Sequence, residues 1–561
     1  MISRLVRSRQ FLICWTRLSD SAPTEQTVPP TATGSCPSRA EWVWLLLLLA
    51  AFFIGNLLTC NLYPVVWCDE VTYSEPALNW AKTGNFTTTV WELQPANTFP
   101  AAYPPLYALA LCPWVKVWGG SVLAVRSFNY LLMAGVAFLL WLACWRCRLV
   151  ESAWGRLFVV ISAHLGFGIS YAYRCARPDV LGMLCLMLLL LAFSLPKARH
   201  RIFLVALLSA LTVWIGLQVA LFAAMVGALA WLILRRLTFK DLLVVASGMT
   251  AGLASLFLFL HWQGVLKYFL QLVFGIVGRP ATESSKFTLL ERCRPLLEGI
   301  IADNLGDFSA AIIFLGVGCA VVVNYRRFSP AEKRLLAFLL TVAMAVPVFF
   351  SFTGHFAFYY AYMKFIPQLL ALFVACFPSE ARLVKCRRQT WLTRFCVTLL
   401  IAAALVGLPL RLLVSCLGSK IVSRSEIQRA IAAQVSETDI AFTDFAAFFE
   451  VKQRARVVYD AWYSRAFFIQ ADSAHDFSED EKRSLTVLVI RAGEVEKLTN
   501  FFGGNWVAVT PPFGDTQDYG RLARLPFIGG KFASYAQQPQ NERCQFVILR
   551  RAADTKSATE N

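Results

Sequence analysis

Residues 202–234 read IFLVALLSALTVWIGLQVALFAAMVGALAWLIL, and none of them is charged. A helix crosses the hydrocarbon core of a bilayer with about 20 apolar residues, so this run is too long for one crossing. Arg201 and Arg235 flank it, and Gly216 and Gln218 sit at its middle. A tight helical hairpin puts both flanking arginines on one side, which predicts two spans here. The same rule, applied outward, predicts further spans at Trp42–Cys60, Val122–Trp145, Gly155–Tyr173, Pro178–Leu195, Asp241–Trp262, Gly306–Tyr325, Leu335–Phe352, Phe356–Phe377 and Trp391–Cys416. The expected fold is an α-helical polytopic membrane protein with about 11 transmembrane helices.

Composition agrees. Hydrophobic residues make up 57% of the 561 residues and charged residues only 16%, against roughly a quarter charged in soluble domains. That excludes a soluble enzyme, a coiled coil and a disordered chain. The net charge of +18 comes largely from short basic clusters between apolar runs, so it reads as a topology signal and not as nucleic-acid binding. With the N-terminus inside, every short cytoplasmic segment is basic: Arg4/Arg7/Arg9, Arg146/Arg148/Arg156, Lys197/Arg199/Arg201, Arg235/Arg236/Lys240, Arg326/Arg327/Lys333/Arg334 and Arg382/Lys385/Arg387/Arg388. An odd number of spans then places the C-terminal segment outside. The sixteen cysteines show no zinc spacing and the five histidines form no cluster; a disulfide between Cys68 and Cys175 is left open.

Three regions follow. Residues 1–41 are a polar cytoplasmic segment, residues 42–416 are the membrane domain with a large first external loop at 61–121, and residues 417–561 are a small C-terminal α/β domain. In the loop, Leu106–Trp118 is apolar but too short to span, so it is expected along the interface. In the tail, strand-like runs (Ile440–Phe442, Arg456–Tyr459, Leu485–Ile490, Trp506–Thr510, Gln545–Leu549) alternate with helical patterns (Glu426–Val435, Ala446–Arg454). The tail has no phosphate-binding loop, dinucleotide turn or nucleophile elbow, so a folded accessory domain is the plainer reading.

Charge at a membrane edge marks candidate sites, because burying it there is costly. Trp67-Cys68-Asp69-Glu70-Val71-Thr72-Tyr73 opens just after the first span. Adjacent carboxylates on a helix point about 100° apart, so at most one of Asp69 and Glu70 aims at a substrate. A base or metal ligand and an acidic helix start complementing the macrodipole are both open readings. Tyr171-Ala172-Tyr173-Arg174-Cys175-Ala176-Arg177-Pro178-Asp179 joins the third and fourth spans on the same outer side. Pro178 and Asp179 suit a helix start, whereas the arginines suit a phosphate through their planar fork. Phe99-Pro100-Ala101-Ala102-Tyr103-Pro104-Pro105-Leu106 is a rigid turn. Lys364, in Tyr359-Tyr360-Ala361-Tyr362-Met363-Lys364, and Arg126 are intramembrane cations, functional by default although either can snorkel or pair.

Together these pieces resemble the GT-C class of membrane glycosyltransferases, nearest to the protein O-mannosyltransferase and lipid A aminoarabinose transferase families. Four features carry the likeness: Asp69-Glu70-x-x-Tyr73 after the first span, Tyr103-Pro104-Pro105-Leu106 before an interfacial helix, Arg126 entering the second span, and Arg177-Pro178-Asp179 opening the fourth. It covers roughly residues 42–195 and is topological from there to Cys416. Many relatives carry a His or Lys before the Pro-Pro pair, where this chain has Tyr103.

The resemblance implies an inverting hexosyl- or pentosyltransferase, multi-pass in a plasma or inner membrane, with an extracytoplasmic site. It would take sugar from a polyprenyl-phosphate donor and pass it to a lipid, glycan or protein acceptor. Asp69 matches the family's catalytic acidic residue and would serve as the base, with Glu70 and Asp179 as further acidic candidates. Tyr73, Tyr103, Arg126, Arg177 and Lys364 are the substrate-binding candidates. No cofactor is assigned with certainty; a divalent metal is left open, with its ligands unknown. The partners are the lipid-linked donor, the acceptor and membrane lipids, without nucleic acid. The rival readings are a transporter or flippase for lipid-linked sugars, against which no internal repeat is visible, and a non-catalytic membrane scaffold.

Overall fold

The structure is a computed structural model and describes residues 37–91, 94–235, 237–278, 307–352, 358–377, 387–460, 477–517, 524 and 543–552. The first span is α1 (Arg39–Leu58), opened by Ser38, whose hydroxyl accepts from the Glu41 amide at 3.1 Å. The external loop folds into α2 (Cys68–Thr83) and the expected apolar helix α3 (Leu106–Trp118). Then follow α4 (Val122–Arg146), α5 (Ala153–Leu165), α6 (Phe167–Arg174), α7 (Asp179–Phe193), α8 (Ala198–Ile215), α9 (Leu217–Leu229), α10 (Phe239–Trp262) and α11 (Leu266–Gly278). After residues 279–306, α12 (Phe308–Asn324), α13 (Pro330–Phe352), α14 (Tyr362–Cys376), α15 (Arg387–Leu405) and α16 (Leu408–Gly418) complete the membrane domain.

Among the described residues, seven helical segments are long and apolar enough to cross a membrane, and a bent pair makes an eighth. The run at 202–234 does divide in two at Gly216. The expected span Gly155–Tyr173 is broken: α5 and α6 meet at 66°. The cause is local. Gly166 lies so close to Phe365 that a Cβ would sit 2.6 Å from its ring. The amides freed at the break find side-chain acceptors, Phe167 N–H donating to Ser309 Oγ at 3.1 Å and Gly168 N–H to Asp307 Oδ2 at 3.3 Å. The expected spans Pro178–Leu195 and Phe356–Phe377 are seen as the 15-residue helices α7 and α14. At about 1.5 Å per residue these are shorter than the roughly 30 Å core, because the chain before each is spent on a turn that carries site residues.

Helices α8 and α10 approach closely through small residues. A Cβ on Gly248 or Gly252 would lie 2.3 or 2.6 Å from the carbonyl oxygens of Ala206 or Ala210. In lipid, close backbone approach replaces the hydrophobic effect as the source of helix association.

The tail forms a six-stranded sheet: β1 (Ile440–Thr443), β2 (Val457–Asp460), β3 (Val487–Arg491), β4 (Trp506–Ala508), β5 (Phe513–Gly514) and β6 (Gln545–Arg551). The order is β2-β1-β3-β6-β4, with β5 also on β6. β1 pairs in parallel with β2 and β3; β6 is antiparallel to β3, β4 and β5. The sheet is seated on the external loop. Glu75, fully buried, accepts from Thr88 Oγ1, Thr89 N–H, Asn79 Nδ2 and, at 3.1 Å, from Lys452 of the tail. Thr89 Oγ1 donates to the Val458 carbonyl at 2.6 Å, and Arg543 donates to the carbonyls of Asn61 and Leu62 at 2.9 and 2.6 Å. Loop and tail therefore share one side of the membrane domain.

Candidate active site

Two buried arginines hold the chain between α1 and α2. Arg174 donates to the carbonyls of Tyr63 and Thr59 at 2.8 and 2.7 Å, and also to Asn56 Oδ1. Arg126 donates to the carbonyls of Cys60 and Pro64 at 2.7 and 3.0 Å. This fixes where α2 begins and hence where Asp69 and Glu70 stand, in a first turn whose free amides favour carboxylates.

The two acids diverge as adjacent helical positions must. Glu70 is fully buried. It pairs bidentately with Arg126 at 2.7 and 2.8 Å and accepts from Ala176 N–H at 3.1 Å. Asp69 keeps 18% of its side chain exposed and binds Arg177 Nη1. Arg177 in turn donates through Nε to Asp179 Oδ2 at 2.8 Å, while its guanidinium lies 5.5 Å from the Tyr73 ring centroid. Arg177 thus lies between the acids of two elements, and Asp69 is the one open to a substrate.

Of the other predicted residues, Tyr103 packs on Tyr73 with centroids 4.3 Å apart. Burial, chiefly, and then Tyr103 hold the Tyr73 phenol well above its usual range. Arg126 is enclosed with Glu70 and two carbonyls, and the geometry makes it a brace for the site. Lys364 is fully buried on α14, where its charge acts on Asp307, the residue capping α12. Cys68 and Cys175 are both free and buried. Burial and the adjacent Asp69 carboxylate push the Cys68 thiol up, which keeps it protonated.

The sequence reading missed three participants. Asn129, fully buried, donates through Nδ2 to the carbonyls of Cys175 and Arg177, and its Oδ1 accepts from the Tyr107 hydroxyl at 3.1 Å. Tyr171 is buried, with Cys175 first and then Arg177 and Asp69 acting on it. Tyr362 is buried where Asp179 and Arg177 act on it. A polar residue one turn beyond Arg126 was the available signal for Asn129.

From Tyr362, an apolar cavity of about 360 Å³ runs between α7, α9, α13 and α14. Met183, Leu190, Phe222, Leu339 and Ile366 form its walls, and Arg201 and Asp241, 3.8 Å apart, stand at its far end. Among the described residues no three His, Cys, Asp or Glu side chains converge. Asp69 and Asp179 share Arg177, and Glu70 pairs with Arg126.

No protein-family model and no curated sequence matches the chain. Solved structures do. ArnT from Cupriavidus metallidurans bound to undecaprenyl phosphate is 13% identical, with a TM-score of 0.55, over 92% of this chain and 99% of that one. The apo state of the same protein gives 13% and 0.55 over 91% and 98%. Arabinofuranosyltransferase AftD from Mycobacteria is 14% identical with a TM-score of 0.48, covering 93% of this chain and 40% of that one. The chain has the GT-C fold, a multi-pass helical membrane domain followed by a small sheet domain, along the whole length of ArnT.

Proposed function

We propose that the protein is a membrane glycosyltransferase that moves a sugar from a polyprenyl-phosphate donor to an acceptor hydroxyl on the extracytoplasmic side. The observation that carries this reading is an apolar cavity whose wall includes Tyr362, a residue on which the charges of Asp179 and Arg177 act, together with the pairing of Arg177 and the partly exposed Asp69. An isoprenoid tail suits such walls, an anionic head suits a guanidinium, and a partly open carboxylate suits a base. The structural neighbour bound to undecaprenyl phosphate supports the same donor class.

In the proposed step the acceptor oxygen attacks the anomeric carbon while Asp69 takes its proton. The bond from that carbon to the phosphate oxygen breaks, and its electron pair leaves with the polyprenyl phosphate. A single displacement inverts the anomeric centre. The leaving group is already a weak base and needs no acid, only charge stabilisation, which Arg177 supplies through preorganised donors. Glu70, Arg126 and Asn129 keep that arginine's turn in place. Since the guanidinium occupies the carboxylates, turnover is expected to persist in a metal chelator. Incubating purified protein with radiolabelled polyprenyl-phosphate sugars tests the reading: label transferred or released from the lipid supports it, and a protein that leaves every donor intact overturns it.

A further inference from the structure

The apolar cavity begins next to the site and ends at a pair of charges. Helix α7 starts at Asp179, whose Oδ2 accepts from Arg177 Nε at 2.8 Å. Met183, the first α7 residue in the cavity wall, follows one turn later. The wall continues along α7 to Phe193, a length of roughly 15 Å from Met183 at the helical rise per residue. Arg201 and Asp241, 3.8 Å apart, close that end. Burying charge against hydrocarbon is costly, so an apolar chain entering from the site stops there. Helix α9 supplies another wall, and Ala223 and Gly227, one turn apart on it, both line the cavity. A Cβ on Gly227 would have one neighbour, Leu242 Cδ2 at 3.8 Å, an ordinary contact. Measured from Phe222, the first α9 residue in the wall, Gly227 lies roughly 8 Å along, about halfway.

An isoprenoid tail has a repeat that fits this wall. Each unit advances by four carbon–carbon bonds of about 1.5 Å, roughly 5 Å in a staggered chain, and carries one methyl branch. A helical turn rises about 5.4 Å. Small residues repeated once per turn therefore leave recesses at nearly the spacing of those branches. The channel has length for about three units before the charged pair, and the rest of a longer tail leaves into the bilayer. We infer that Gly227 is a specificity-determining position: the recess it leaves lets the cavity read about three isoprene units of the donor, counted from the phosphate. This rests on the transferase reading above and makes it more specific. A larger side chain at Gly227 would occupy the path of the second unit and those after it, while the first unit lies short of it. The helix itself is not endangered, since glycine is the weaker residue in a helix interior.

The full-length purified protein is assayed in detergent with polyprenyl-phosphate pentoses and hexoses whose tails run from one to five isoprene units. For the wild type, kcat/KM should rise with each unit up to about three and then level. Gly227→Leu should level after about one, with a loss of roughly tenfold for the longer donors and little for the shortest. Gly227→Ala should fall between the two. Ala228→Leu adds the same bulk at the exposed neighbouring position and should keep the wild-type profile. A wild-type kcat/KM that climbs steadily through five units overturns the inference. So does an unchanged profile in Gly227→Leu, and so does a loss equal at every length, which would mean damage to the helix as a whole. The same length series of sugar-free polyprenyl phosphates, read as a rise in Tm, keeps the two readings apart. A wild-type protein that transfers no sugar overturns the transferase reading. A Tm rise that still levels at about three units, and sooner in Gly227→Leu, would uphold the tail channel alone; a Tm rise indifferent to length overturns the channel too.

Discussion

Asp69 and Glu70 are neighbours with opposite assignments, and their substitutions should separate cleanly. Asp69→Asn keeps the size and the helix-start preference but removes the base. Turnover should fall by about 10²–10⁴ while donor binding stays near normal. Nearly full activity in a folded Asp69→Asn protein would reduce Asp69 to a helix-start residue. Glu70→Gln should instead act on stability. It leaves Arg126 as a buried charge without its carboxylate, a loss typically of about 3–5 kcal/mol, read as a lowered Tm in detergent. For Arg177, loss of a charge-assisted bidentate contact is worth about ten- to a hundredfold in donor affinity. Arg177→Lys keeps the charge without the fork and should recover only part of it; full recovery would mean a point charge is enough. The pairing Asp69–Arg177–Asp179 draws on residues about a hundred positions apart, and the sequence supplied the members but not the partners. It offered Arg126 and Arg177 as equals, because nothing in a lone arginine tells a brace from a ligand. The carboxylate facing it does, and that is a matter of helix phase.

Helices α8 and α10 lie where their backbones nearly touch. Gly248→Leu should force them apart at the Ala206 carbonyl, at a cost of about 1–3 kcal/mol or more. The expected result is a clear drop in Tm, with Gly264→Leu following a different logic, since that glycine has open space around it and a φ of +72°. A Gly248→Leu protein with unchanged Tm would mean the two helices slide freely. At this scale the sequence was informative wherever hydropathy alone decides. It predicted the division at 202–234, the apolar helix at Leu106 and the principal strands of the tail. It predicted one straight helix for 155–173, where the structure has a corner. The corner depends on Phe365, Ser309 and Asp307, which come from elsewhere in the chain, and periodicity within a segment is blind to them.

The contacts joining the loop at 61–121 to the tail make one assembly of two regions distant in sequence. Cysteines placed at the exposed positions Asn85 and Glu479 should therefore react together or not at all with a membrane-impermeant reagent in intact cells. Reaction of both is the expected outcome; reaction of one alone would contradict the Glu75–Lys452 and Thr89–Val458 contacts. Basic clusters predicted a common side for loop and tail, but the seating of the tail on α2 needs long-range pairing and was not legible there. The sheet itself has an order that matters in time. Strand β6, residues 545–551, lies between β3 and β4, not at an edge. A ribosome adds roughly 5–20 residues per second, so for many seconds after the last apolar helix is made, the tail lacks its middle strand and has nothing complete to set on α2. Assembly of the outer half of the molecule thus waits for residues 545–551, and a nascent chain paused before them holds its carboxylates in a loop that has not yet been covered.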